Sequence, residues 1–152
     1  MMEKEDLCNL LKERLWQVNK LEITAALRDF TEGETAALAC LYKEGEQMTP
    51  SQISDSLNIS RARITCILTT LRKKELVVME MSAEDRRKML VKLTAKGREV
   101  MSEKLSRLDS LLAIYVDAVG SGSAEQLAEI LKKAVDCHDD VMKKFNAASL
   151  PD

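Results

Sequence analysis

The chain has 152 residues, with 23 Lys plus Arg against 25 Asp plus Glu and a formal net charge of -2, a length suited to one domain. Apolar residues make up 45% and charged residues 32%, which excludes the low-hydrophobicity, high-net-charge regime of disordered chains. Five Gly, two Pro and 3% aromatics, beside many Leu, Ala, Met, Lys and Glu, favour helices and argue against a sandwich or barrel.

Residues 3–28 place Leu7, Leu10, Leu11, Leu15, Val18, Leu21 and Ile23 near helical spacing. This predicts a long amphipathic helix whose weak point lies near Lys20. Thr31 followed three residues later by Glu34 is a capping-box pattern. Ala36, Ala37, Leu38, Cys40 and Leu41 continue it as a short buried helix that stops around Gly45. Thr49-Pro50-Ser51-Gln52 repeats that grammar, with a capping Thr, Pro at the first helical position and Gln three after the cap. The helix it opens turns Ile53 and Leu57 inward and ends at Asn58, a residue that tolerates the left-handed conformation of a tight turn.

Ser60 caps a further helix with the stripe Ile64, Ile67, Leu68 and Leu71. Two short helices joined by a tight turn form a helix-turn-helix. The period then changes: residues 76–81 and 88–93, LVVMEM and KMLVKL, are β-compatible runs separated by the polar SAEDRR. They predict a hairpin with a charged tip. Thr94 caps a long helix to Val119 carrying Val100, Met101, Leu105, Leu108, Leu111, Leu112, Tyr115 and Val116. Gly120-Ser121-Gly122 interrupts it. Ser123 with Gln126 then opens a last helix bearing Leu127, Ile130, Leu131, Ala134, Val141 and Phe145.

Near-neutral net charge conceals an uneven distribution. Residues 60–98 hold eleven basic and four acidic side chains, so the rest of the chain carries a surplus of nine acids. A basic middle between acidic flanks suits a polyanion at one face.

Helix, helix-turn-helix and hairpin in this order are a winged helix, and the run TPSQISDSLNISRARITCILTTLRKKELVVMEMSAEDRRKMLVKLTAKG resembles the MarR family of bacterial transcription regulators. The most specific part is Asp85-Arg86-Arg87 followed by Val91-Lys92-Leu93-Thr94 and Gly97, which is similar to the family's wing and wing-to-helix junction. The resemblance implies a mainly α fold with a small β-hairpin wing, a winged helix-turn-helix with terminal dimerisation helices. Residues 1–152 then form one MarR-type domain. Within it residues 31–98 are the DNA-binding part, and residues 1–30 and 99–152 the helical dimerisation part.

If Ile64, Ile67, Leu68 and Leu71 face the core, Ala62, Arg63, Cys66, Thr69, Thr70 and Lys73 face out, with Arg61 and Thr65 at the borders. That face is small, basic and polar, fit for a major groove. Arg63 can donate two hydrogen bonds to a guanine edge, and Ser60 or Thr65 can reach phosphate or base. Arg86 resembles the family's wing arginine, which enters the adjacent minor groove. Asp85 can pair with an arginine and orient it, while Arg87 and Lys88 serve phosphate. Two departures from the family stand out: Cys66 where an Arg is common, and Glu75 where Gly usually joins the recognition helix to the first wing strand.

One recognition helix buries too little for strong selectivity, whereas a twofold pair reads a pseudo-palindrome. The apolar stripes of the first and last helices suit that homodimer interface, as in MarR relatives. The reading is therefore a homodimeric regulator of double-stranded operator DNA, most simply a repressor. The resemblance implies release by a small-molecule effector such as a phenolic or other lipophilic anion. Met48, Met79, Met81, Met89 and Met101 read first as core filling and second as lining for such a ligand.

Two alternatives stay open. Cys8 sits where thiol-sensing relatives carry a reactive cysteine, although Asp6-Leu7-Cys8-Asn9 lacks their Cys-Phe pair and its acids raise a thiol pKa. A winged helix used only for protein contact is the other. No cofactor, metal or enzymatic activity is expected. His138 is the only histidine, and no phosphate loop, nucleophile elbow or Rossmann fingerprint is present. Four cysteines without a CxxC pair, no apolar run long enough for a membrane span and no secretory signal read as cytoplasmic.

Overall fold

The computed structural model describes residues 2–43, 45 and 47–148. In these the order is α1 (Lys4–Val18), α2 (Glu22–Asp29), α3 (Gly33–Lys43), α4 (Pro50–Ser56), α5 (Arg61–Lys73), β1 (Val77–Met81), β2 (Met89–Leu93), α6 (Ala95–Val119), α7 (Ser121–Asp136) and α8 (His138–Ala148). Two units are distinguished, Met1–Asp109 and Ser110–Asp152.

The core of the first unit forms where the predicted apolar stripes converge. Leu38 and Leu41 of α3, Ile53 of α4, and Ile64, Leu68 and Leu71 of α5 are buried together with Val77 and Val91 of the hairpin and Met101 of α6. Full burial of each such side chain is worth about 1.5–3 kcal/mol, which holds the short helices that propensity alone would leave marginal.

Local chemistry sets the ends of the helix-turn-helix. Thr49 Oγ1 accepts from the Gln52 N–H at 3.2 Å and Gln52 Oε1 accepts from the Thr49 N–H at 2.8 Å, the reciprocal capping box. At the other end of α4, Asn58 has φ 51°. The Ile59 N–H donates to the Ser54 carbonyl at 3.1 Å and the Asn58 N–H to that of Asp55 at 3.2 Å, a Schellman turn. The buried Ser54 hydroxyl donates back to the Ile59 carbonyl at 2.6 Å and fastens the turn. Ser60 Oγ then accepts from the Arg63 N–H at 3.2 Å and starts α5.

The hairpin pairs antiparallel from Val77↔Leu93 to Met81↔Met89. Met48, which precedes α4, adds a bridge: its N–H donates to the Val91 carbonyl at 3.1 Å and its carbonyl accepts from the Val91 N–H at 2.8 Å. The wing root is thereby hydrogen-bonded to the entry of the helix-turn-helix. Thr94 Oγ1 accepts from the Gly97 N–H at 2.9 Å, as a helix cap does, and donates to the Glu75 carbonyl at 2.7 Å. At Gly97 a Cβ would lie 2.1 Å from the Leu76 carbonyl oxygen, so α6 passes the wing strand at a distance only glycine permits.

Several sequence expectations need correction. The first helix is two helices, α1 and α2, parted near the anticipated weak point. Thr31 does not cap α3. Its hydroxyl donates to the Arg28 carbonyl at 2.9 Å, and α3 starts at Gly33 with φ 67°. The last helix begins at Ser121 rather than Ser123, because Gly120 at φ 85° reverses the chain and serves as N-cap. It also breaks at Cys137, where Asp139 and Asp140 fall in the first turn of α8 and favour a new helix N-terminus. Of the five methionines, Met101 is buried and Met48 and Met79 pack against the core, but Met81 and Met89 are exposed opposite each other near the wing tip.

Candidate nucleic-acid interface

The exposed face of α5 is the one its stripe implies. Ala62, Arg63, Thr65 and Cys66 are exposed, Thr69 and Thr70 half-buried, and Ile64, Leu68 and Leu71 buried on the opposite side. The Arg63 guanidinium makes no hydrogen bond or ion pair among the described residues, so its donor fork is available to a partner.

Arg61 behaves differently. Its guanidinium meets both Asp55 carboxylate oxygens, at 2.9 and 3.1 Å, and also donates to the Ser51 carbonyl. It ties the first turn of α5 across to α4. The sequence singled it out beside Arg63, but the structure gives it an intramolecular task, and Asp55 and Ser51 were missed. No local pattern could have exposed them, since the clamp exists only once α4 and α5 cross.

Thr65, Thr69 and Thr70 donate their hydroxyls to the carbonyls of Arg61, Thr65 and Cys66 at 2.8, 2.7 and 3.1 Å. Cys66 and Cys8 are exposed free thiols, Cys8 on α1. The C-terminal end of α5 carries Arg72, Lys73 and Lys74, of which Lys74 pairs with Glu34 of α3 at 2.6 Å.

The wing tip is ordered by short-range bonds. The Ser82 N–H donates to the Lys88 carbonyl at 2.8 Å, and Ser82 Oγ accepts from the Glu84 and Asp85 N–H groups at 3.3 and 3.4 Å. Asp85 Oδ1 accepts from the Arg87 N–H at 3.0 Å, and the Asp85 carbonyl from the Lys88 N–H at 2.9 Å. Asp85 therefore shapes the tip through the backbone rather than through an arginine side chain. Arg86, Arg87 and Lys88 are exposed, and none forms a side-chain ion pair among the described residues. The spacing of Ser82 and Asp85 was a readable turn signal that the sequence analysis passed over. Farther along the hairpin Lys92 pairs with Glu80 at 2.9 Å.

One ion pair links α6 to α2. Lys104 Nζ lies 2.7 Å from Asp29 Oδ2, and the Thr35 hydroxyl donates to the same oxygen at 3.1 Å. The Lys104 hydrogen bond holds the Asp29 carboxyl below its ordinary range, with Thr35 assisting and partial burial opposing. No described helix is long and apolar enough to cross a membrane.

A family model described as a winged helix DNA-binding domain matches residues 34–112. The chain is 27% identical over 104 residues to the HTH-type transcriptional regulator MhqR of Bacillus subtilis (strain 168), across 66% of this chain and 68% of that protein. It is 30% identical over 103 residues to the transcriptional repressor MprA of Escherichia coli (strain K12), across 66% of this chain and 58% of that one. The match thus spans little more than half of MprA. Streptococcus pneumoniae FabT, solved in complex with DNA, superposes with a TM-score of 0.65 at 16% identity, covering 91% of this chain and 99% of that chain, a likeness of fold. Taken with the capped helix-turn-helix and its two-stranded wing, these matches show that the chain belongs to the winged helix DNA-binding domain family, as one of its MarR-type regulators.

Proposed function

We propose that this chain acts as a homodimeric repressor that reads a pseudo-palindromic operator in double-stranded DNA and is released by a small-molecule ligand. The observation that carries the DNA reading is the pair of uncommitted cationic sites on one winged helix: Arg63 in the first turn of α5 and Arg86, Arg87 and Lys88 at an ordered hairpin tip. A helix N-terminus with a free bidentate donor is suited to base edges in a major groove, and a cationic tip to the neighbouring minor groove and its phosphates. Ser60, Ala62, Thr65, Cys66 and Thr70 complete the reading face, with Asp85 setting the shape of the tip. Arg61 contributes by holding α5 against α4. MprA is named a repressor and FabT was crystallised with DNA, which supports the same direction for this chain.

Support for pairing comes from each unit separately. In the first, Leu7, Leu11, Leu15 and Trp16 of α1 are exposed, Trp16 at 79%. In the second, Leu127, Ile130, Leu131 and Val135 of α7 and Val141 and Phe145 of α8 are exposed, Val135 at 74%. Apolar surface on this scale on a monomer marks an interaction face, and a second copy covers it isologously.

The test is salt-dependent binding to duplexes selected from a random pool. Arg63→Ala is expected to relax base preference at one position of each half-site, and Arg86→Ala to weaken all sites together. Equal binding of both variants to any duplex would leave the winged helix as a protein-contact module.

A further inference from the structure

The outward strip of α5 runs through Ala62, Thr65, Cys66 and Thr69, spaced i, i+3, i+4 and i+7, and its chemistry is one-sided. The Thr65 hydroxyl donates to the Arg61 carbonyl at 2.8 Å and the Thr69 hydroxyl to the Thr65 carbonyl at 2.7 Å. Each hydroxyl hydrogen is taken up by the helix's own wall, which turns Oγ1 inward and leaves the γ-methyl outermost. The strip therefore presents the Ala62 and Thr methyls, a thiol and accepting lone pairs. The strong donor beside it is Arg63.

Bases in the major groove differ in what they ask for. Guanine shows only acceptors at N7 and O6 and needs a donor, whereas a T·A pair shows the thymine 5-methyl and the adenine amino donor. A methyl-bearing, accepting surface matches the second and not the first. Resting on the reading of α5 as the groove-entering helix, we propose that Ala62, Thr65 and Thr69 recognise the 5-methyl groups of thymine. Each half-site is then an A·T-rich run beneath the strip, with guanine confined to the end reached by Arg63.

The experiment uses the wild-type dimer and duplexes recovered by selection from a random pool, resynthesised with deoxyuridine for thymine at one position at a time. This removes a single methyl and keeps the base pairing and phosphates. Beneath the strip, Kd is expected to rise about fourfold per methyl, the equivalent of one buried methylene. Outside the half-sites it stays within about twofold, the scatter of independent positions. Thr65→Val keeps the methyl and is expected to retain both affinity and the deoxyuridine effect. Thr65→Ser keeps the hydroxyl and is expected to bind about fourfold more weakly and to lose the effect at its thymine. An enriched site whose thymines are all replaceable without loss overturns this inference and leaves DNA reading intact, as does a weakened Thr65→Val beside an unaffected Thr65→Ser. A pool with no enriched sequence overturns DNA reading itself, and the inference with it.

Discussion

Glu75 is the residue whose replacement tests the backbone account most sharply. It follows the C-terminus of α5 at φ 61°, in the left-handed region. The Leu76 N–H donates to the Leu71 carbonyl at 2.9 Å and the Glu75 N–H to that of Arg72 at 3.0 Å, both bonds of a Schellman turn. Holding an L-residue there costs roughly 1–2 kcal/mol, and holding glycine almost nothing. Against that gain, a glycine at this position would lose roughly 0.5–1 kcal/mol more entropy on folding. The exposed Glu75–Lys96 pair at 3.5 Å contributes little. Glu75→Gly is therefore expected to stabilise by about 0.5–1 kcal/mol, raising Tm by about 2–3 °C, and Glu75→Asn by less. Urea unfolding at neutral pH measures it, with Glu75→Ala as the control that deletes the charge and keeps the strain. Stabilisation by Ala equal to that by Gly would show that charge, not backbone conformation, governs this turn and would refute the reasoning.

Gly97→Ala brings a Cβ to 2.1 Å from the Leu76 carbonyl, so α6 must move from the wing strand; a loss above about 2 kcal/mol is expected in the same assay. Asp29→Asn should lower stability at neutral pH by removing the charge partner of Lys104. Because the folded carboxyl is shifted down, its contribution is present above the unfolded value near 4 and lost as pH falls through the folded value. The gap between wild type and variant should therefore close in acid thermal melts. Arg61→Ala is expected to destabilise the fold by about 0.5–1 kcal/mol, as an exposed bidentate pair warrants, while leaving the salt slope of DNA binding unchanged. Arg87→Ala, at the free wing tip, should instead reduce that slope by about one.

Features written in near-neighbour chemistry were legible. The α5 stripe, the Thr49–Gln52 box and the left-handed Asn58 each follow from residues a turn apart, and each appears where its pattern lies. So does the cap at Thr94, because the accepting hydroxyl and the donating N–H belong to one helical turn. What stayed hidden depends on distant segments. Met48 joins the sheet as a single bridging residue, too short to show a period of two. The Arg61 clamp needs the crossing of two helices. Glu75 was visible as a departure from the family, but not that the turn keeps its glycine geometry regardless. The Thr31 box failed because its hydroxyl found the Arg28 carbonyl first, a competition between local bonds that spacing alone does not decide.

Titrating the protein into a selected duplex across a salt series, with sedimentation to give the mass of the complex, tests the central claim most directly. The account predicts two chains on each duplex and a fall of log affinity with log salt whose slope is about -5 to -7, from the free wing and α5 cations of both copies. One chain per duplex, or affinity indifferent to salt, would contradict it.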